Sequence, residues 1–335
     1  MAFEIIGTGR ATPPRRVTNN DLAEKIDTSD EWIRSHTGIG SRHIAGEEIS
    51  ASDLALEAAK NALAMATGLE GPLSLDMIVL ASATPDFWGT PSTACIIQEK
   101  LGAKRAGAMD ITAGCTGFIY GLETAAGLLS ADSERKYALV IGSEILSKFT
   151  DWSDRGSCVL FGDGAGAAIL KKTSAPREGP GRKGLIRTIL GADGSGAENL
   201  VTRRGGSRNP FKTGEIIDKP PYIEMNGQAV YNFAVRAMTE TIEKLLLLEG
   251  VSVDELTWII PHQANARIIQ AAAKRLKIPE EKFFLNIEEY ANTSAASIPI
   301  ALDELNRDGK LKPGDLILTI GFGGGLTYGG NLIVW

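Results

Sequence analysis

Leu73-Ser74-Leu75-Asp76-Met77-Ile78-Val79-Leu80-Ala81 and Val251-Ser252-Val253-Asp254-Glu255-Leu256-Thr257-Trp258-Ile259-Ile260 follow one pattern. Each places apolar-Ser-apolar-Asp just ahead of a short Val/Ile/Leu-rich run. Such a run, without polar alternation, reads as a strand buried on both faces. A second echo pairs Phe161-Gly162-Asp163-Gly164-Ala165-Gly166 with Phe322-Gly323-Gly324-Gly325, each near the end of its half and feeding a last apolar strand. The two echoes together suggest two copies of one α/β unit.

The rest of the chain extends the pattern. Strands are expected over 77–81, 137–142, 165–170, 258–260 and 316–320, and helices over 52–66, 116–130, 230–249, 264–276 and 295–306. Short apolar runs alternating with Ala- and Leu-rich helical stretches predict an α/β protein with strands sandwiched between helices. Residues 175–184, rich in Gly, Pro, Arg and Lys, read as the connection between an N-terminal half, 1–174, and a C-terminal half, 185–335. Duplicated halves often share a site at their interface, an expectation by analogy only.

The 335 residues are 43% hydrophobic, ample for a buried core. With 35 basic and 41 acidic residues the net charge is -6, which leaves no electrostatic footprint for nucleic acid. The N-terminus runs straight into a strand-like segment with no secretion signal, and apolar runs break well before the ~18 residues a membrane span requires. A soluble cytoplasmic protein is expected. Cys95, Cys115 and Cys158 are too few and scattered for a disulfide framework or a Cys-rich metal site, and each is by default a small buried apolar residue.

Cys115 has a distinctive context. Asp110-Ile111-Thr112-Ala113-Gly114-Cys115-Thr116-Gly117-Phe118 runs from a strand end through a small-residue turn into a helix that is apolar almost all round. A helix N-terminus would stabilise a thiolate and lower a thiol pKa of ~8.5. A buried thiol beside a Gly-lined turn is the alternative. Cys95, within a helix, and Cys158, beside strand-like residues, lack the turn.

Of the three histidines, His262 follows the buried-looking strand Trp258-Ile259-Ile260-Pro261, and strand ends in α/β sheets are where functional groups project. His36 and His43 lie in polar, loop-like surroundings and read as surface residues. Ala291-Asn292-Thr293-Ser294-Ala295-Ala296-Ser297 leads into an amphipathic helix; Asn292 is either a helix cap or an amide donor that stabilises an enolate oxygen. No phosphate-binding Gly-Lys-Ser/Thr loop or dinucleotide fingerprint occurs, so the glycines are expected to make tight hairpins and to free an amide such as that of Gly324 for an oxyanion.

Taken together, Ala113-Gly114-Cys115-Thr116-Gly117-Phe118, Pro261-His262-Gln263-Ala264-Asn265 and Asn292-Thr293-Ser294-Ala295-Ala296-Ser297 resemble the β-ketoacyl-[acyl-carrier-protein] synthase III family. Thr28-Ser29-Asp30-Glu31-Trp32-Ile33, Asp154-Arg155-Gly156, Phe161-Gly162-Asp163-Gly164-Ala165-Gly166 and Gly321-Phe322-Gly323-Gly324-Gly325 extend the match over nearly the whole chain in the family's order. The resemblance implies a thiolase-like fold, two related halves in a five-layered α-β-α-β-α sandwich, assembled as a homodimer. It implies that Cys115 takes an acyl group from acyl-CoA, the oxyanion being held by the amides of Cys115 and Gly324. Malonyl-carrier protein then binds, His262 and Asn292 donate hydrogen bonds to its thioester oxygen as CO2 leaves, and the enolate attacks the acyl group to give a 3-oxoacyl product. Phe322 would pack near the malonyl group, and no metal or redox cofactor is required.

For CoA the resemblance points to Trp32 and Arg155 against the adenine and to Gly227, Asn265 and Arg267 along the nucleotide and pantetheine arm. Arg267, Lys274 and Arg275 fall near one helix face, either a solvated basic face or a landing patch for the acidic carrier protein. Three departures bear on substrate. His36 stands where the family often has a CoA-contacting Arg, with Arg34 nearby, and Thr90 stands where several members have a Phe lining the acyl pocket across the dimer. The third, Ala291 in place of a Gly before Asn292, is expected to be minor. An acyltransferase of secondary metabolism that loads Cys115 without condensation, and a catalytically silent acyl-binding partner, are the competing functions.

Overall fold

The structure is a computed structural model that describes residues 1–179, 181–217 and 220–335. Pro180, within the expected connection at 175–184, lies outside the described residues.

One sheet is built from β1 (Ala2–Ala11), β2 (Met77–Ala81), β3 (Gly107–Ile111), β4 (Tyr137–Glu144) and β5 (Gly164–Thr173), in the spatial order β1-β5-β4-β2-β3. Strand β2 runs parallel to β3 and β4, while β5 is antiparallel to β4 and β1. A second sheet holds β6 (Gly184–Ala192), β7 (Leu256–Pro261), β8 (Leu316–Gly323) and β9 (Thr327–Val334), ordered β7-β8-β9-β6. Only β7 and β8 pair in parallel there. The echo that precedes β2 and β7 forms a single 3-10 turn in both places, Pro72–Ser74 and Val253–Glu255.

Helices α1 (Ala51–Met65) and α2 (Thr93–Leu101) cover the outer face of the first sheet. Between the sheets lie α3 (Gly117–Ser130) and α6 (Ser297–Arg307), and α4 (Gly227–Glu249) and α5 (Ala266–Leu276) cover the outer face of the second. The layers therefore run α-β-α-β-α. A helix packed on two sides must be apolar nearly all round, and α3 buries Phe118, Ile119, Leu122, Ala125, Ala126 and Leu129. Val79 and Val140 from one sheet and Ile260 and Ile317 from the other close on α3 and on Ile298 and Leu302 of α6 to make the inner core. Strand β2 is buried at every position, as its unbroken apolar run requires.

Two devices seat α6. Asp303 is fully buried and accepts hydrogen bonds from Thr8 Oγ1 at 2.9 Å, Arg10 Nη1 at 2.8 Å and Arg307 Nε at 2.8 Å, tying the helix to β1. Gly142 on β4 leaves room for the turn ahead of α6, because a Cβ there would run into the carbonyl oxygen of Ala295. Small residues at this contact are a packing requirement, since a backbone oxygen cannot swing aside as a side chain can.

Gly142→Ala is therefore expected to destabilise the protein by about 1–3 kcal/mol. Gly127→Ala, on α3 with open space around its Cα, should stabilise it by up to ~1 kcal/mol. Chemical denaturation of both variants checks the pair, and equal effects would contradict the packing described.

Candidate active site

Both helices of the middle layer begin at one place. A 3-10 turn, Gly114–Thr116, leads into α3, and a second, Ser294–Ala296, leads into α6. Strand β7 ends beside them at Pro261, and the β8–β9 hairpin, residues 324–326, closes over them. The cavity formed there, of about 250 Å3, is lined by Cys115, His262, Asn292 and Phe322 together with Trp32, His36, Gly227 and Asn265.

Cys115 is half-buried, in the turn where its sequence context puts it. Its backbone abuts the hairpin. A Cβ on Gly114 would lie 2.8 Å from the amide nitrogen of Gly324, and one on Gly323 would lie 2.5 Å from that of Cys115. Gly114 also has φ of +51°, which glycine adopts without strain. Glycine on both sides thus lets the backbones of Cys115 and Gly324 approach closely. The expected depression of the thiol pKa is corrected. Burial pushes it up to about 12; the Ser294 side chain opposes this and the Glu144 carboxylate adds to it. Desolvation of the thiolate outweighs one helix end.

His262 is buried, its backbone N–H donating to Ile320 O at 2.7 Å and its ring Nδ1 lying 2.8 Å from Ser297 Oγ. Burial pulls its pKa down to about 3, so the imidazole is neutral. Phe322 packs edge-on against the ring, centroids 5.4 Å apart. Asn292 is pinned to Phe161 by an isolated parallel bridge, with Asn292 N donating to Leu160 O and Gly162 N to Asn292 O. The first glycine run therefore grips the Asn292 segment rather than forming a hairpin. Asn292 Oδ1 accepts from Ser294 N at 2.9 Å, which leaves the side-chain NH2 to donate.

At the mouth, the Arg155 guanidinium lies 4.3 Å over the Trp32 ring, and His36 stacks on the same Trp32 at 4.4 Å. Asn265 caps α5 through Arg267 N and donates from Nδ2 to His36 O at 3.1 Å, while Arg267 Nε donates to Ser35 O at 2.9 Å. Lys274 and Arg275 are exposed further along α5, and with Arg267 they form no ion pair among the described residues. Thr90 is not brought into the cavity; it is exposed beside Phe87 and Trp88.

Residues 109–194 match the family described as 3-oxoacyl-[acyl-carrier-protein (ACP)] synthase III, and residues 246–335 match its C-terminal family. Two proteins called beta-ketoacyl-[acyl-carrier-protein] synthase III align along their whole length. That of Natranaerobius thermophilus is 48% identical over 99% of both chains, and that of Clostridium perfringens strain SM101 is 50% identical over 98% of both. The crystal structure of 3-oxoacyl-[acyl-carrier-protein] synthase III from Aquifex aeolicus superposes over 100% of both chains with a TM-score of 0.89 at 45% identity. The chain belongs to the 3-oxoacyl-[acyl-carrier-protein] synthase III family.

Its fold is accordingly the thiolase-like α/β fold of that family. Within this synthase III chain, several readings of single residues need correction. His36 and His43 are not loop residues: His36 lies on the helix Asp30–Thr37 and faces the cavity, and His43 ends the strand Ser41–His43. Cys95 is exposed rather than buried. Ala291 has φ of +57°, a glycine conformation that costs a side-chain-bearing residue of order 1–3 kcal/mol, so its replacement of Gly is not minor.

Glu144 was not marked by its sequence. It is fully buried at the end of β4, takes hydrogen bonds from Thr84 Oγ1 at 2.7 Å and from Ala83 N, and interacts with Ser294. Burial pushes it up to about 7. A lone carboxylate closing a strand has no spacing signal; only its position after an apolar run, Gly142-Ser143-Glu144, hinted at it.

A thiol held near pKa 12 keeps a small thiolate fraction that grows with hydroxide. Alkylation of Cys115 by iodoacetamide, followed on its own peptide, should rise about tenfold per pH unit across the neutral range. A plateau near neutrality would contradict the neutral thiol.

Proposed function

We propose that this chain is a condensing acyltransferase that starts fatty-acid synthesis: acyl-CoA loads Cys115, and decarboxylative condensation with malonyl-acyl carrier protein releases 3-oxoacyl-carrier protein, CoA and CO2. The observation that carries it is the convergence of a cysteine at a helix start, a neutral histidine and an oriented asparagine amide in one cavity. Covalent capture splits the reaction into two steps, and the amides of Cys115 and Gly324 stabilise the tetrahedral oxyanion of the first. In the second, His262 and Asn292 assist, with the Asn292 NH2 placed to donate to the enolate oxygen and Phe322 shaping the malonyl site.

Trp32, Arg155, Gly227, Asn265 and Arg267 would hold CoA at the mouth, and Arg267, Lys274 and Arg275 would meet the acidic carrier protein. The exposed cationic residues of α5, none in an ion pair among the described residues, support that landing site. We also propose that 1–174 and 185–335 are the two duplicated halves, each contributing one sheet. A homodimer is proposed from the edge position of β3 and the exposure of Phe87 and Trp88, at 54% and 53%; Thr90 on that loop would reach a partner's acyl pocket. No helix of the described residues is long and apolar enough to cross a membrane; a cytoplasmic location is part of the proposal. Among the described residues no group of three or more His, Cys, Asp or Glu is set to hold a metal ion, and the chemistry assigned needs none.

Incubation with acyl-CoAs and malonyl-carrier protein, read by intact mass, tests the reading. Wild type should gain the acyl mass on Cys115 and release a 3-oxoacyl product, and Cys115→Ala should do neither. Asn292→Ala should still acylate but condense ~10²–10³-fold more slowly. Acyl mass without CO2 release would favour transfer to another nucleophile, and no adduct on wild type would favour a silent acyl-binding role. Thr90→Phe should shift preference toward short primers; an unchanged chain-length profile would remove Thr90 from the acyl pocket.

A further inference from the structure

Glu144 is a fully buried carboxylate that the reaction assigned above does not use, and its surroundings are built for an anion. Its oxygens accept from Thr84 Oγ1 at 2.7 Å, from Ala83 N at 3.1 Å and from Ser82 Oγ at 3.4 Å. Both hydroxyls are turned toward it by amides behind them. Thr84 Oγ1 accepts from Ile145 N at 2.8 Å and Ser82 Oγ from Thr84 N at 3.1 Å, so each sends its single hydrogen to the carboxylate. The remaining contacts come from the turn ahead of α6, through the Ala295 amide and the Ser294 side chain. Amides and hydroxyls thus all point at one side chain, which a carboxylate can satisfy and a carboxamide cannot.

The turn held in this way is strained. Ser294 has φ of +48° and Ala291, just before Asn292, has φ of +57°; such backbone persists only where its surroundings over-determine it. Ser294 N donates to Asn292 Oδ1 at 2.9 Å, the bond that turns the Asn292 NH2 outward. Beyond the turn α6 is fixed by Asp303 and by its core. A Ser294 released toward negative φ would therefore rotate the preceding peptide and carry its N–H away from Asn292. We infer that Glu144 is a positioning residue: its carboxylate clamps the strained turn 294–296 to the ends of β2 and β4 and so holds the Asn292 amide in the orientation that condensation uses. This rests on the condensation proposed above. Glu144 acts through Ser294 rather than on substrate, because it lies outside the lining of the cavity. Loading of Cys115 does not draw on Asn292, and the Glu144 carboxylate opposes ionisation of that thiol, so removing its charge does not disable the nucleophile.

The two half-reactions distinguish this role from a general loosening of the fold. Glu144→Gln keeps the volume but sets an NH2 where an N–H already points. In single turnover it should slow condensation by about 10²-fold, the effect of a misplaced group. Cys115 should still take the acyl group, and be alkylated, at least as fast as in wild type. Ser294→Gly, which adopts positive φ without strain, should restore condensation about tenfold in the Glu144→Gln background. It should also remove roughly half of the drop in denaturation midpoint that Glu144→Gln causes. Should Glu144→Gln not fold, Thr84→Val, which deletes one donor to the carboxylate, should give the same split at about tenfold. Equal slowing of both half-reactions would overturn the inference, as would condensation at the wild-type rate or the absence of coupling between Glu144→Gln and Ser294→Gly. Failure of wild type to acylate would instead defeat the proposed function, and the denaturation midpoints would still decide whether Glu144 holds the turn.

Discussion

The site depends on the burial of two helices between two sheets. Covered on both sides, α3 is apolar nearly all round, while α6 buries Ile298, Ile300, Ala301, Leu302 and Leu305 and ties down its one buried carboxylate, Asp303; both start where the sheets let the chain in. Their N-terminal turns, Gly114–Thr116 and Ser294–Ala296, are built of small residues because the strands and the β8–β9 hairpin approach to backbone contact there. The nucleophile candidate and the amide donor are therefore delivered to one cavity by packing, and β7 brings His262 to the same point.

The electrostatics of that point follow from the same burial. Burial holds the thiol, the carboxyl and the imidazole there in their neutral forms or close to them: Cys115 up near 12, Glu144 up to about 7, His262 down to about 3. A neutral resting site has a chemical advantage. Preformed N–H groups need not reorganise when negative charge develops on substrate, which is where enzymes gain most of their stabilisation. The cost is that the Cys115 thiol is not pre-ionised, so in the proposed acyl loading proton loss has to accompany attack.

Much of this was legible in the sequence, for physical reasons that also explain the gaps. Cys115 was legible because a strand end, a Gly turn and an all-apolar helix have a linear signature, and His262 because Pro261 marks the end of an unbroken apolar strand. Boundaries slipped at 114–117 and 294–297, where a tight 3-10 turn precedes each α-helix and small residues give both the same pattern. Strand β6 was not foreseen, since Arg187 and Thr188 interrupt its apolar run. His36 was misread as a loop residue because the helix Asp30–Thr37 is short and polar. The sign of the Cys115 shift depends on burial, which local pattern does not carry. Glu144 and Ser297 take their meaning from partners far along the chain or from another element, Thr84 for one and His262 for the other.

The central claim is that the amides of Cys115 and Gly324 frame the acyl group carried by Cys115. A crystal structure of the acylated enzyme tests it most directly. The account predicts density continuous with Cys115 Sγ and a carbonyl oxygen about 2.7–3.1 Å from both amide nitrogens. An acyl group on any other residue, or a Cys115 thioester whose oxygen points away from Gly324, would contradict it.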